Sequence, residues 1–290
     1  SLSLKGSYKG YYTHTKKWTK QEPYYTAHLD ENDEIFFRRM REETNMSYSE
    51  GSGKGRDWYL EASINYDRTF KGHHITGLVL YNQWKQQYPG AAGYSYSAIP
   101  RGYVGLVGRV TYDYKSRYLL DINLGYNGSE NFAPGKRYGL FPAVSAGWVL
   151  TEEKWMKKQK TLNFLKIRGS VGLVGNDLVK GKERFYYLPA EYNPSSGGYN
   201  FGTGITTLLP GAVEKKIGNE DVTWEKSLKY TVGLDYKLFK SRLTGSIDLF
   251  MENRWDILTT VNTSPAFIAV DLPVVNLGVV KNRGFEIELG

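Results

Sequence analysis

The sequence predicts an all-β protein: an antiparallel up-and-down transmembrane β-barrel, of which this chain supplies about ten strands of a larger barrel. Three observations support this. Apolar and polar residues alternate over long runs, tyrosines cluster where those runs meet turns, and short and long connections alternate. A period of two places successive side chains on opposite faces of a sheet. Runs of about ten residues exceed the usual soluble strand and match the nine to eleven residues that cross a bilayer at a tilt.

The clearest alternation lies in residues 102–126. In its first half Val104, Leu106 and Val110 share one face, and Arg109 lies on the other. After a short turn, the alternation resumes with Tyr118, Leu120, Ile122, Leu124 and Tyr126 on one face and Asp121, Asn123, Gly125 and Asn127 on the other. This pattern predicts a hairpin with an apolar face toward lipid and a polar face toward a lumen.

Further alternating runs predict the remaining strands, ten in all. The predicted strands are about 2–13, 56–66, 73–83, 102–114, 118–127, 139–150, 164–175, 224–238, 243–256 and 282–289. Among the connections, those at 67–72, 115–117 and 239–242 are short, whereas those at 14–55, 84–101, 128–138, 176–223 and 257–281 are long. Short turns at one end and long loops at the other are typical of outer-membrane barrels. The link at 151–163 is predicted to hold a turn or two of helix, with Thr151 as N-cap.

Composition limits the alternatives. The chain has 290 residues, 15% of them aromatic, and a formal charge of +8. Its basic residues sit mainly at turns, and none of its Lys/Arg runs is long enough to follow a nucleic acid backbone. The absence of cysteine excludes disulfides and thiolate sites. We expect residues 1–290 to be one portion of a single barrel domain, because both ends fall within alternating strands.

Several motifs resemble one known family. In chain order they are PRGYVGLVGRVTY at 100–112, RYLL at 117–120, NGSENF at 127–132, GLFPAVSAGW at 139–148, LKIRGSVG at 165–172, GND at 175–177, WEKS at 224–227, NLG at 276–278 and NRGFE at 282–286. Together they resemble the barrel of the SusC/RagA-type TonB-dependent outer-membrane transporters of Bacteroidetes. The resemblance covers nearly the whole chain in the family's order.

The resemblance implies a barrel of about 22 strands around a plug domain, and we expect the plug and the final strands to lie outside this sequence. It implies import of glycan or peptide fragments across the outer membrane of a Gram-negative cell. It also implies two partners, a TonB complex that acts through the plug and a SusD-like surface lipoprotein. No cofactor and no enzymatic chemistry are expected.

Candidate sites for chemistry are few. His73 and His74 are adjacent, so on a strand they point to opposite faces, and we expect solvated turn histidines rather than a metal site. The carboxylates of the polar faces are expected to pair with Arg109, Arg168, Lys229 or Lys237 across strands rather than to act as acid and base; they are Glu61, Asp121, Asp235, Asp248, Glu286 and Glu288.

Aromatic residues in the long loops are the candidate ligand contacts. The first group is Trp84, Tyr88, Tyr94 and Tyr96, and the second is Tyr186, Tyr187, Tyr192, Tyr199 and Phe201. Aromatic faces stack on sugars or peptides, although the same residues would also pack long loops on themselves. Asp177, Asn219, Glu220 and Asp221 offer oxygen ligands for calcium, but their spacing matches no EF-hand loop.

Glycines within the predicted strands have two possible explanations. They are Gly105, Gly108, Gly169, Gly172 and Gly233. They mark either the close approach of another element, such as a plug, or bends that close a barrel.

Two other functions stay open at this point. A soluble all-β glycan-binding module also alternates apolar and polar residues, so alternation alone does not establish a membrane. A structural or adhesive barrel without a plug is the second alternative.

Overall fold

The computed structural model describes residues 1–87, 99–157, 161–179, 184–188, 191–193, 198–200, 208–260 and 272–290. Its main feature is one large antiparallel sheet in which ten strands follow one another in sequence order. These strands are β1 (Leu2–Thr19), β4 (Ser47–Phe70), β5 (His73–Gln87), β6 (Arg101–Tyr114), β7 (Tyr118–Ser129), β8 (Tyr138–Val149), β9 (Leu162–Asn176), β14 (Glu225–Leu238), β15 (Leu243–Trp255) and β18 (Val280–Leu289).

Shorter strands pair within the long connections. They form the hairpins β2 (Tyr24–Leu29) with β3 (Ile35–Arg41), β10 (Glu191–Asn193) with β13 (Val213–Lys216), β11 (Gly198–Asn200) with β12 (Leu208–Pro210), and β16 (Leu258–Thr260) with β17 (Val274–Asn276). The sequence analysis treated all of these segments as loops, which was wrong for the paired residues.

All ten predicted strands are present, and the predicted order is confirmed. The sheet runs from β1 at one edge to β18 at the other, and these two strands are not paired with each other. The largest differences in length are at β1, which continues to Thr19, and at β4, which already begins at Ser47. Thus ten strands are in place and the barrel is not closed by them.

One face of the sheet is apolar and exposed. Ile122 lies opposite Val110 on one side and Val144 on the other. Its neighbours on the same face, Leu120 and Leu124, keep 37% and 44% of their surface exposed. These residues do not enter a common dry interior, and they share one exposed face of the sheet, as predicted; that this face contacts lipid stays a prediction. We call this side the apolar face and the opposite side the polar face.

Aromatic residues bound the apolar face at both ends. On β8, Tyr138 and Trp148 stand ten residues apart; Tyr138 stacks on Tyr126 (ring centroids 5.1 Å apart), and Trp148 stacks on Tyr118 at 6.4 Å. Ten residues span about 33 Å along a strand. At a tilt of 35–45° this gives a height of about 25 Å, the height of the apolar band in outer-membrane barrels.

The turn end is held together by backbone and side-chain hydrogen bonds. The amide N–H of Lys115 donates to the Gly72 carbonyl (2.8 Å), and that of Phe239 donates to the Thr161 carbonyl (2.9 Å). The antiparallel registers therefore place the predicted short turns at one end of the sheet and the loops 128–138 and 176–223 at the other. Much of 84–101 lies outside the described residues.

Two local predictions at this end were wrong. In the described part of the link, the predicted helix is a 3-10 turn, Leu150–Glu152, whose N-cap is Val149. The Thr151 hydroxyl instead accepts a hydrogen bond from the Leu165 amide at 3.4 Å. His73 is not a solvated turn residue. Its ring centroid lies 4.6 Å from that of Tyr114, and its Nδ1 lies 2.8 Å from the Tyr112 hydroxyl. His73 is the first residue of β5, which places it beside these tyrosines of β6.

Contacts divide the chain into two compact units. One comprises Ser1–Ser7, Tyr59–Lys85 and Arg101–Gly290, and the other comprises Tyr8–Trp58 and Gln86–Pro100. Within the part of the chain that the structure describes, none of the helices is long and apolar enough to cross a bilayer.

Candidate functional site

Three long loops share one hydrophobic core, and this core is the most buried part of the described chain. We call it the loop cluster; its members are Phe132, Tyr186, Val222, Trp224, Leu258 and Val274. They come from the β7–β8, β9–β14 and β15–β18 connections. Phe132, Val222 and Tyr186 are at most 2% exposed. Burial of large apolar side chains is the main stabilising contribution in such a cluster. The loop cluster therefore holds the bases of the three loops together.

Trp224 lies at the centre of the loop cluster. Its ring centroid is 5.3 Å from that of Phe132 and 5.2 Å from that of Phe141, in tilted and edge-to-face arrangements. Aromatic pairs at these separations add to the stabilisation that burial provides. Its indole N–H donates to the Arg137 carbonyl, so the polar atom of the ring is satisfied.

Asn131 and Asp177 join the first loop to the second. The Asn131 side-chain amide donates to the Asp177 carbonyl at 3.0 Å, and the Ser129 hydroxyl donates to the Asp177 carboxylate at 2.6 Å. The Tyr186 amide N–H donates to the Asn131 carbonyl (3.1 Å), and its hydroxyl donates to the Asp177 carbonyl (3.3 Å). Burial raises the pKa of the Tyr186 phenol, so this group stays protonated and able to donate.

Asn276 joins the third loop to the second. Its side-chain oxygen accepts from the Thr223 amide (2.8 Å), and its side-chain nitrogen donates to the carbonyls of Thr223 and Asp256 (both 2.8 Å). One amide side chain thus replaces the backbone pairing that a sheet would provide. The Leu258 amide also donates to the Glu225 carboxylate at 3.2 Å.

Charged residues around the loop cluster form ion pairs and hydrogen bonds between segments. Arg184 pairs with Glu130 at 2.6 Å, and the other Glu130 oxygen accepts from the Gly102 amide at 3.1 Å. Lys136 contacts Asp221 at 2.7 Å, and this bond lowers the pKa of the Asp221 carboxyl. The loops are therefore linked by ion pairs as well as by apolar packing.

The polar face of the sheet carries ion pairs between strands, as predicted. Arg109 pairs with Asp121 at 2.6 Å, and Arg168 bridges Asp235 (3.0 Å) and Asp248 (2.7 Å). Glu61 pairs with Lys5 rather than with one of the predicted cations. Glu61, Asp121, Asp235 and Asp248 thus each have a cationic partner, an arrangement that suits a polar wall. Among the described residues, the predicted pairing of Glu286 and Glu288 is not found.

A recess of about 460 Å³ opens on this polar wall. Its lining includes Asp121, Ser145, Lys166, Arg168 and Thr231. Beside the recess, the Arg168 and Asp248 side chains pack directly against Gly233. A Cβ at this position would lie 2.5 Å from Asp248 Oδ1 and 2.6 Å from Arg168 Cζ. This glycine makes room for neighbouring side chains of the sheet itself, a cause that the sequence analysis did not consider.

The predicted loop aromatics have different locations. Trp84 lies in strand β5, so its prediction as a loop residue was wrong; it is half-buried and stacks on Tyr103, with ring centroids 6.0 Å apart. Tyr186 is not exposed but belongs to the loop cluster, which agrees with the alternative that these aromatics pack the long loops on themselves. Tyr187 is half-buried and accepts from Arg137 Nη2 at 2.9 Å, while Tyr199 is 68% exposed. Outside the described residues lie Tyr88, Tyr94, Tyr96, Phe201 and the side chain of Tyr192.

Three of the four residues considered as calcium ligands, Asp177, Asn219 and Asp221, have separate protein partners. Asp177 is bound by Ser129, and Asp221 by Lys136. The Asn219 side-chain oxygen accepts from the Asp221 amide at 2.9 Å. In the described ranges, no group of three or more His, Cys, Asp or Glu side chains is placed to hold a metal ion.

The sequence analysis missed the role of Arg137 and Asn276. Arg137 Nε donates to the Phe132 carbonyl at 3.2 Å, and its own carbonyl receives the Trp224 indole N–H. Asn276 was quoted only as part of a motif. The available signal was that the motifs at 127–132, 175–177, 224–227 and 276–278 all fall at the loop ends of strands, which indicates a shared location.

Comparison with known proteins agrees with this architecture. The chain matches the family model described as "TonB dependent receptor-like, beta-barrel" over residues 1–290. The TonB-dependent receptor P39 of Formosa agariphila is 28% identical over 304 residues, covering 97% of this chain and 27% of that protein. The TonB-dependent receptor SusC of Bacteroides thetaiotaomicron is 31% identical over 188 residues, covering 64% of this chain and 18% of that protein.

A solved structure shares the fold. The RagAB peptide importer in its closed-closed state superposes with a TM-score of 0.72 at 18% identity, covering 99% of this chain and 32% of that chain. The chain thus spans about a third or less of the length of these relatives. They are receptors and importers, not enzymes.

Proposed function

Because the chain belongs to the TonB-dependent receptor-like β-barrel family, we propose that it is part of an outer-membrane importer of glycan or peptide fragments. The chain is an outer-membrane β-barrel segment, and its resemblance to the SusC/RagA type is confirmed by the family match and the similarity to SusC. Transport, its substrate and its partners belong to the proposal. A peptide substrate is supported by the importer whose fold the chain shares. Glycan fragments are included because the resemblance to the SusC/RagA type implies them.

The observation that carries the proposal is the opposite polarity of the two sheet faces. Leu120, Ile122 and Leu124 are exposed on the apolar face, and Arg109 with Asp121 forms an ion pair on the other. A soluble glycan-binding module would bury the first set and expose the second to water. A lipid-facing band around a polar lumen requires this arrangement.

We include in the proposal that residues 1–290 belong to one barrel domain completed by further strands. β1 and β18 form the edges of the sheet. Unpaired backbone groups of an edge are not tolerated in hydrocarbon, so each edge needs another strand. A plug within the completed lumen, coupled to a TonB complex, would supply the energy for import.

The loop cluster supports a surface lipoprotein of the SusD type as partner. It fixes the bases of three loops at one end of the sheet through buried aromatic packing and through Asn276 and Asn131. A preorganised surface loses less conformational entropy on binding a cap. The partner would therefore dock on the loop end and not on the turn end.

The test is substrate uptake by cells that carry the full-length receptor. Strains with the receptor gene deleted, restored, or combined with a TonB deletion would be given fluorescent oligosaccharides and peptides. We expect uptake of one class only in the restored strain with intact TonB. Membrane insertion without TonB-dependent uptake of either class would contradict the importer and favour the structural or adhesive barrel.

A further inference from the structure

We infer a transit site for a neutral sugar chain on the polar face of the sheet, in the recess of about 460 Å³. The inference rests on the proposed import function and names sugars as the transported class. Every residue that lines the recess belongs to the compact unit that contains Arg101–Gly290, so the site requires no contact with the other unit. Its volume lies within the range of pockets for small ligands.

The floor of the recess is a row of hydrogen-bonding side chains. In the antiparallel registers, five lining residues lie opposite one another in turn: Thr111, Asp121, Ser145, Ser170 and Thr231. Each lies on a different strand, from β6 to β14. Neighbouring strands are about 4.8 Å apart, so four hydroxyls and one carboxylate cross the sheet side by side over about 19 Å.

Lys166 and Arg168 stand beside this row, toward the turn end. The Lys166 side chain extends over Gly147, because a Cβ at that glycine would lie 3.0 Å from Lys166 Cε. Arg168 is held in place by Asp235 and Asp248, which accept from its Nε and Nη2. Within the described chain, the Lys166 ammonium and Arg168 Nη1 have no hydrogen-bond partner, so both can donate to a ligand.

The charges around the recess nearly compensate one another. Three basic and three acidic side chains balance on this wall: Arg109, Lys166, Arg168, Asp121, Asp235 and Asp248. The remaining carboxylate of the lining is Asp113, which accepts from the Ser116 amide at 2.9 Å. An anionic ligand therefore finds no excess of positive charge. Hydroxyl groups, in contrast, form strong hydrogen bonds with charged donors and acceptors.

The strands beneath the recess offer nothing to a peptide backbone. β7, β8 and β9 are each paired on both sides, so their amide and carbonyl groups are used within the sheet. An extended peptide is usually recognised through such backbone groups at a free edge, or through apolar pockets for its side chains. The lining instead presents hydroxyl, ammonium, guanidinium and carboxylate groups, which match the closely spaced hydroxyls of a sugar.

Weak binding at several points suits passage through a lumen. Each hydrogen bond to a sugar replaces one to water, so its net contribution to affinity is small. A conducting site must bind a solute well enough for entry and weakly enough for release. A row of hydroxyls that crosses five strands meets both conditions, because a sugar chain can exchange one partner at a time along it.

The experiment measures protection of an introduced thiol in the full-length receptor. Residues 1–290 contain no cysteine, so Ser145→Cys places one thiol on the floor of the recess, on a background without other accessible cysteines. A small water-soluble thiol reagent is applied with and without maltotetraose, cellotetraose or laminaritetraose. We expect at least one of these neutral sugars to slow the modification. The control is Lys229→Cys on the polar face outside the recess, which the sugars should not protect.

Removing two donors from the recess should weaken the protection. In Lys166→Gln with Ser170→Ala, we expect the sugar concentration for half-protection to rise about tenfold, since two hydrogen bonds are lost. The matched control, Lys229→Gln with Ser246→Ala, makes the same changes elsewhere on the polar face and should leave this concentration unchanged. Heat-modifiable migration in electrophoresis checks folding. Thr231→Cys replaces the first reporter if Ser145→Cys does not fold.

Two further probes, tetraserine and tetragalacturonate, test the class of ligand. Protection by tetraserine equal to that by the sugars would overturn the sugar class, and stronger protection by tetragalacturonate would overturn its neutrality. A thiol that the reagent cannot reach in the folded receptor, or that no tetrasaccharide protects, would overturn the site. Uptake by the same cells separates the two proposals: import without protection removes this inference alone, whereas import of neither class removes the proposed function.

Discussion

The indole Nε1–H of Trp224 donates a hydrogen bond of 3.2 Å to the backbone carbonyl of Arg137. The two residues belong to different loops, and each loop also contributes to the buried loop cluster. One side chain therefore provides both apolar area and a polar link between the loops.

Replacing Trp224 by Ala should release the loop bases from one another. Removing a buried aromatic side chain costs about 3–5 kcal/mol, which is large against the stability of a loop unit. Hydrogen exchange of the full-length receptor should show loss of amide protection at Tyr186 and Leu258, with strands β6 and β7 unchanged. Trp224→Phe is the control, because it removes mainly the hydrogen bond and should cost about 1 kcal/mol.

Arginine at position 120 should destabilise the barrel in lipid. Leu120 is exposed on the apolar face, and a cation near the bilayer midplane costs roughly 2–4 kcal/mol. Leu124→Arg tests the position on the other side of Ile122. Unfolding in vesicles measures the difference, with Asn123→Arg on the polar face as control. Equal destabilisation by all three substitutions would contradict the assigned faces.

Gly233→Ala should disturb the ion pairs of Arg168. The added methyl group would lie 2.5 Å from Asp248 Oδ1, so Arg168 or Asp248 must move. Overpacking of this kind typically costs about 1–3 kcal/mol. Gly108→Ala is the matched control, since nothing lies within 4 Å of the added atom. A thermal melt of the refolded protein should separate the two variants; similar melting temperatures would argue against the close fit at Gly233.

Glu153 should contribute to stability only above acidic pH. The hydroxyl of Tyr118 and the indole N–H of Trp148 both donate to its Oε1, at 2.7 and 3.1 Å. These donors, chiefly Tyr118, and the charge of Arg117 lower the pKa of the Glu153 carboxyl from its ordinary value of 4.5. A lowered folded-state pKa means that stabilisation is complete above 4.5 and is lost as pH falls through the folded value.

The measurement is the melting temperature of wild type and Glu153→Gln from pH 7 to pH 3. The difference between them should be constant down to about pH 5 and shrink below it. A difference that stays the same throughout would show that the charge of Glu153 is not involved.

A tag inserted in 176–223 should be labelled on intact cells, and one in 239–242 should not. The antiparallel registers place these segments at opposite ends of the sheet. Short turns of outer-membrane barrels face the periplasm. Labelling after membrane permeabilisation controls for the accessibility of both tags. Equal labelling before permeabilisation would reject this orientation.

The strands were predictable because their signal is local. In β7, the polarity of each residue from Tyr118 to Tyr126 indicates the sheet face on which it lies, with Leu119 as the exception. The pairing of β7 with its neighbours follows from the short connections. The cross-strand pair Arg109–Asp121 followed from register in the same way. Such features depend only on period and neighbouring strands.

The motifs at the loop ends of strands indicate a shared location, but the side-chain contacts of the loop cluster were not predictable because they join residues distant in sequence. Tyr186 and Phe132 are aromatic residues in polar surroundings, and nothing local distinguishes a buried ring from an exposed one. The Asn276 contacts with Thr223 and Asp256 bring together three segments without periodicity. The 3-10 turn after Val149 likewise lacks a side-chain cap, and the next residue, Glu153, is bound by the distant Tyr118 and by Trp148, so the capping preference of Thr151 did not predict it.

The shared core of the loops restricts how this surface can diversify. Since Phe132, Trp224 and Val274 pack in one cluster, a change at the base of one loop must be matched in the other two. Residues at the loop tips, beyond the loop cluster, can change without a compensating change in another loop. Grafting a single loop from a relative should therefore succeed when the exchange starts distal to these residues, and should fail when it cuts at the strand ends. New ligand preferences would then arise at the tips, while the three bases are inherited together.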